Sequence, residues 1–127
     1  MRVLFVTTSF PRFEADHAGS FVFRLAKYLV EAGVDVRVVA PGDHGYPGNE
    51  SLEGVRVIRK PYFRPRRLQR LAYGHGIPAN LRQHWLARLQ VPFFFLAMLL
   101  GVARELKKVD VVHCHWLPTI LLAKCAM

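Results

Sequence analysis

Cysteine is scarce in this 127-residue chain, with only Cys114 and Cys125. Two thiols exclude a disulfide-stapled secreted scaffold, and Cys114 stands in an apolar run where a free thiol packs as a small hydrophobe. A reducing compartment follows. Acids are also few: nine Asp and Glu face eighteen Lys and Arg, and no acid falls between Glu53 and Glu105. The longest apolar run, residues 91–103, contains Pro92 and Gly101 and is shorter than the roughly 20 residues a membrane span needs. It reads as a buried or interface-lying helix. The N-terminal apolar segment is five residues long and has no small-residue cleavage site, so no signal peptide is expected. The G-x-G-x-x-G fingerprint is missing, which disfavours a dinucleotide-dependent dehydrogenase, and no serine stands on a nucleophile elbow.

What is present is a foldable single domain. Hydrophobic residues make up 52% of the chain, enough to offset ordering entropy without metal or disulfide staples. Arg2–Thr7 is a nearly continuous apolar run, the pattern of a strand buried on both faces. Phe21, Leu25, Tyr28, Leu29 and Ala32 then recur at helical spacing, with Ser20 as N-cap and Gly33 after the last turn. The short β-branched segment at residues 34–41 completes a strand–helix–strand unit, the signature of a parallel sheet. Residues 42–53, with Gly42, Gly45, Pro47, Gly48 and Asn49, read as loop. A third strand is expected at 55–58 and one short helix around 67–73, in a stretch punctuated by Pro65, Gly74 and Gly76. Residues 79–108 read as helix interrupted near Pro92, 110–115 as a fourth strand, and a last helix opens at Thr119. The expected class is α/β, a Rossmann-like parallel sheet with flanking helices over residues 1–127. A crossover helix is normally followed by another strand, so the chain reads as the first part of a larger architecture. An unpaired sheet edge and apolar helix faces would favour self-association.

Three features could carry chemistry. Gly19 precedes a helix at the carboxyl end of a strand, where backbone N–H groups can approach a phosphate; it serves equally as a simple helix-entry residue. His113 and His115 share one strand face, but further ligands at zinc spacing are lacking, so no metal is expected. The other reading packs one histidine and turns its partner into the crevice at the strand end, to hydrogen-bond a sugar hydroxyl or a reacting group. Lastly, Arg64, Arg66, Arg67 and Arg70 stand near Tyr62, Phe63, Trp85 and Phe93-Phe94-Phe95. Such a run is either a solvated face or a docking surface for anionic lipid head groups, with aromatics at the interface. The aromatics do not alternate with the basic residues along a sheet, so lipid ranks above nucleic acid, and no nucleic-acid partner is expected.

Taken together, Arg2-Val3-Leu4-Phe5-Val6-Thr7-Thr8-Ser9-Phe10-Pro11, Gly19, the Leu25–Leu29 helix segment, Gly33-Val34-Asp35-Val36-Arg37-Val38-Val39-Ala40-Pro41, Gly54-Val55-Arg56-Val57-Ile58-Arg59 and Asp110-Val111-Val112-His113-Cys114-His115-Trp116 form a recognisable series. It resembles the N-terminal, acceptor-side domain of retaining GT-B glycosyltransferases, in a family-four-like form. The resemblance implies a role in moving a sugar from a nucleotide-diphosphate donor to an acceptor, and the basic and aromatic stretch points to a lipid-linked one. It assigns Gly19 to the loop nearing the donor diphosphate, His115 to the reacting sugars as catalytic residue, and His113 and Trp116 to the acceptor cleft. It implies no cofactor, the nucleotide sugar being a substrate, and a C-terminal donor domain or partner chain without which the chain is inactive. Ala18-Gly19 stands where the family often has two glycines, and Gly33-Val34-Asp35 where it often has a histidine. The expected location is cytoplasmic, peripheral at the inner face of the membrane. The competing reading is a non-catalytic α/β module that binds a membrane or another anionic partner.

Overall fold

The computed structural model describes residues 1–12, 16–43, 49–64, 66–74 and 76–127, the side chain of Arg66 excepted. In chain order the elements are β1 (Arg2–Thr7), α1 (Ser20–Glu31), β2 (Asp35–Pro41), β3 (Asn49–Leu52), β4 (Val55–Lys60), α2 (Ile77–Gln83), α3 (Trp85–Leu106), β5 (Val111–His115) and α4 (Leu117–Ala126). The strands form one sheet in the order β3-β4-β2-β1-β5. β1 runs parallel to β2 and β5, and β2 parallel to β4. Only β3 is antiparallel. This is the Rossmann-like α/β class, with one antiparallel strand added at the edge.

Side chains alternate across a strand, so the apolar runs of β1 and β2 feed two cores at once. On one face Val3, Phe5, Val36, Val38 and Val57 pack with Val22 and Ala26 of α1. On the other, Leu4, Val6 and Val39 meet Phe94, Met98 and Val102 of α3 and Leu122 of α4. Because α1 packs on β2 and β4, the α1 side of β5 is left without a covering helix. That is the face His113 and His115 occupy, in register with Phe5 and Thr7.

The structure departs from the sequence expectations at several points. Residues 49–52 are strand, hairpin-paired to β4 through Glu53 and Gly54 at φ 49° and 86°, the two positive angles of a tight primed turn. Gly45, Pro47, Gly48 and Pro65 lie outside the described residues. The helix expected at 67–73 shrinks to a 3-10 turn at Arg66–Leu68. Side chains there take the backbone groups a helix would have paired. Tyr62 N donates to Gln69 Oε1, Arg70 N to Gln90 Oε1 and Ala72 N to the Tyr62 hydroxyl, while Asn80 Nδ2 donates to the Leu71 and Tyr73 carbonyls. α3 runs unbroken through Pro92 because residues on both sides of it, Ala87 and Gln90 before and Phe94 and Met98 after, are buried. The break falls instead at the extended residue His84. Gly19, not Ser20, is the N-cap of α1, and α4 opens at Leu117, two residues before Thr119.

Arg59, in phase with the buried Val55 and Val57, is itself buried, with 1% of its surface exposed. Its guanidinium donates to Glu50 Oε1 at 2.7 Å, to the Tyr73 hydroxyl at 2.9 Å, and to the carbonyls of Phe10 and Pro11. Tyr73 passes its own proton to the Pro41 carbonyl at 2.8 Å, and burial pushes that phenol up to about 12, so it stays protonated. Removing one partner from such a buried cluster leaves the rest uncompensated. Arg59→Met is therefore expected to lower unfolding stability by about 3 kcal/mol or more, measured by urea denaturation.

Candidate functional site

Chain connections run from β1 outward through β2 to β4, then return to place β5 on the other side of β1. The gap between β1 and β5 is thus the switch point of the sheet, where ligands of open α/β folds bind beyond the strand carboxyl ends. A cavity of about 420 Å³ lies there, and Thr7, Gly19, Tyr73, Ile77, His115 and Trp116 are among its walls. Three of the four residues expected in the cleft therefore stand together. His113 does not line the cavity. It is exposed, its ring 4.3 Å from that of His115 and 5.1 Å from that of Phe5. The expected division, one histidine packed and the other turned into the crevice, does not hold: His115 both lines the cavity and is half-buried between Phe5 and Phe21, while His113 is exposed.

Each wall is held by a specific local constraint. Gly19 has φ +64°, and a Cβ placed on it would lie 2.2 Å from the Ser9 carbonyl oxygen. Both the left-handed angle and the contact require glycine. The turn is pulled in further by Thr7 Oγ1, which donates to that same Ser9 carbonyl. Arg12 ties the following segment to Asp16 at 2.7 Å and to Asp43 at 2.6 Å, with its guanidinium 4.6 Å over the Tyr73 ring.

Two cavity residues escaped the sequence reading in this respect: Tyr73 and Trp116 have φ 68° and 116°, angles that side chains rarely adopt. Strained backbone of this kind persists where the surroundings over-determine it and gathers at functional sites. At Trp116 the carbonyl is gripped twice by Thr119, through its N–H at 3.0 Å and its hydroxyl at 2.6 Å. Sequence holds no signal for these angles, since neither residue is glycine or asparagine.

The electrostatics of the cavity are set by His115. Burial, with a smaller contribution from the neighbouring His113, pulls its imidazole down to about 4. It is neutral at pH 7, and its buried Nε2 has no hydrogen-bond partner among the described residues. A buried polar atom left unpaired costs about 1–3 kcal/mol. A ligand hydroxyl reaching it would recover that. Among the described residues, no Lys, Arg, Asp or Glu lines the cavity, and no group of three or more His, Cys, Asp or Glu able to hold a metal occurs.

Arg64, Arg67 and Arg70 are exposed and pair with no carboxylate among the described residues; Arg66 begins the 3-10 turn. None of Arg64, Arg67 and Arg70 lines the cavity. Arg59, counted by its sequence position with the basic stretch, is withdrawn from it into the core. A second cavity, of about 710 Å³, opens between α1 and the β3–β4 turn, with Arg24, Lys27, Tyr28 and Glu53 in its walls. It lies away from the switch point and touches neither histidine.

Fold and cavity together define a Rossmann-like α/β domain with a cavity at its topological switch point. The family model described as Glycosyltransferase Family 4 matches residues 18–127, and the chain belongs to that family. Gly19, His113, His115, Trp116 and the four arginines all fall within the match, which supports a glycosyltransferase-like role. Comparison with curated proteins finds no match.

Two outcomes follow from the site. Gly19→Ala is expected to destabilise the fold by more than about 1 kcal/mol, since it adds left-handed strain to a backbone clash, as measured by chemical denaturation. The lowered His115 value means the unfolded chain binds the proton more readily than the native one. This contribution to stability is complete above the unfolded value near 6.5 and is lost as pH falls toward about 4. His115→Gln should flatten the unfolding free energy over that window, and in the unsubstituted chain the His115 imidazole resonances followed by NMR should titrate well below the ordinary value of 6.5.

Proposed function

We propose that this chain is the acceptor-binding, N-terminal part of an enzyme that transfers a sugar from a nucleotide-diphosphate donor to a lipid-linked acceptor. The observation that carries the reading is the convergence of Gly19, His115 and Trp116 on one cavity at the switch point. In this scheme Gly19 lets the β1–α1 turn approach the donor diphosphate with bare backbone. The neutral imidazole of His115 hydrogen-bonds a hydroxyl of the reacting sugars through Nε2, and so acts as the catalytic residue. Trp116 and the adjacent His113 border the acceptor, the indole offering a face on which a sugar ring can stack.

Among the described residues, none with a charged side chain lines the cavity. Expulsion of a nucleoside diphosphate needs positioned positive charge or helix dipoles at the leaving oxygen. A C-terminal donor domain or a partner chain supplies that opposite wall, and the chain by itself does not turn over. The nucleotide sugar is a substrate, and no cofactor or metal enters. The free guanidinium groups of Arg64, Arg67 and Arg70, with Arg66 between them in sequence, favour an anionic membrane surface over nucleic acid as neighbour. In this reading the protein is cytoplasmic and peripheral at the inner face of the membrane.

The test is sugar transfer from labelled nucleotide sugars to lipid-linked acceptors. The chain alone should give none, and supplying a donor-binding domain should restore it. In the completed enzyme His115→Ala is expected to reduce kcat by about a hundredfold or more. Robust transfer by the chain alone would overturn the division of labour.

A further inference from the structure

Helix α3 is apolar on the wrong side as well as the right one. Its inner face, with Ala87, Phe94, Met98 and Val102, is buried in the core. Its outer face carries Trp85, Leu89, Phe93, Leu96 and Leu100, exposed by 74, 53, 50, 53 and 48%. At 3.6 residues per turn these five form one continuous stripe along the helix. Only a third of the helix's most apolar 18-residue window is buried, although by length and composition the helix could cross a membrane. An apolar stripe of this extent has no purpose on a water-facing helix.

The charges beside the stripe identify its partner. By the same helical periodicity, exposed Arg88 and Arg104 border it on either side. The arginine segment is fastened to the same helix: Phe63 packs edge-on to Phe93 at 5.8 Å, and Gln90 bonds both the Arg70 N–H and the Leu68 carbonyl. Arg64, Arg67 and Arg70 are thereby fixed to the flank of α3, and no acid occurs from residue 54 to 104. A second copy docking on this face would bring two sets of unpaired guanidinium groups together.

We infer that the outer face of α3 lies in the plane of an anionic lipid bilayer, with Trp85, Leu89, Phe93, Leu96 and Leu100 among the acyl chains and the flanking arginines on the head-group phosphates. The inference rests on the membrane location proposed above and names the surface that makes it. The helix lies flat and does not span. Gln90 and Glu105 on its inner face are held by the Leu68 and Arg70 backbone and by Arg37 at 3.0 Å, bonds that a spanning helix would lose. α2 joins the cavity wall at Ile77 to the start of the stripe, a distance of about 10 Å for its seven residues. A lipid-linked acceptor held at the bilayer surface is thus delivered beside the cleft.

The experiment is co-sedimentation of the full chain with phosphatidylcholine vesicles, with and without phosphatidylglycerol, over a salt series. Binding should require phosphatidylglycerol and weaken with salt. The emission of Trp85, read in a Trp116→Phe background, should shift to the blue on binding. The pairs Phe93→Asp with Leu96→Asp and Leu89→Asp with Leu96→Asp should each cut partitioning by at least about tenfold while circular dichroism stays unchanged; the second pair avoids the Phe63 contact. Loss of binding in Arg64→Gln/Arg67→Gln/Arg70→Gln, without loss in either stripe pair, would overturn the inference and leave the anionic-surface reading standing. Absence of any binding to phosphatidylglycerol vesicles would sink both. A concentration-dependent dimer that the stripe pairs abolish, seen by sedimentation equilibrium without vesicle binding, would reassign the face to a second copy.

Discussion

The buried guanidinium of Arg59 is the point on which the strand ends depend. A planar group with five donors is the one side chain that can serve a carboxylate, a phenol and two carbonyls at once. Those acceptors come from three separate stretches, the turn after β1, strand β3 and Tyr73 in the segment before α2, and Tyr73 in turn donates to a fourth at the end of β2. Each connection alone is short of regular structure. Tied to one charge, they form a common rim, and the cavity is built on it. The desolvation of that charge is heavy, which is why the cluster is fully hydrogen-bonded and not merely paired.

The same rim explains why the site has its particular chemistry. Tyr73 is fixed by Arg59 beneath it and Arg12 over its ring, and that grip sustains a left-handed backbone angle that would otherwise relax. Gly19 lines the same cavity, its backbone held close against the Ser9 carbonyl, and among the described residues no charged side chain lines it. Into this apolar setting β5 delivers His115, and the low dielectric strips its proton. Two residues earlier on the same strand face, His113 lies outside the cavity and is exposed. One strand thus presents two histidines in unlike surroundings, since His115 sits between Phe5 and Phe21 in the cavity wall.

How much of this could be read from the chain depends on whether the signal was local. β1, α1 and β2 were legible because their apolar spacing is regular and long, and Gly19, His115 and Trp116 because strand ends in a parallel sheet collect at one edge. β3 was not, since Asn49-Glu50-Ser51-Leu52 has no alternating apolar face and pairs only because a two-residue turn returns it to β4. Pro92 misled: proline usually ends a helix, but packing of the apolar face on both sides of it outweighs the one lost hydrogen bond. Arg59 carried a readable signal, its phase with Val55 and Val57, masked by its place in a run of basic residues. The angles at Tyr73 and Trp116 carried none: Tyr73 is held by Arg59, distant in sequence, and neither residue is of a type that favours a positive φ.

The basic stretch divides along the same line. Charge in a sequence is a single quantity, but the fold sorts it by what each guanidinium can reach. Arg59 and Arg37 turn inward and find Glu50 and Glu105, and in doing so consume acids of a chain that has only nine. Arg64, Arg67 and Arg70 are left outside with none, on the flank of the helix that carries the largest exposed apolar stripe. The internal ion pairs therefore sharpen the external asymmetry: every carboxylate spent on holding the rim together is one fewer to neutralise the surface, so cohesion of the site and positive charge beside α3 have a common origin.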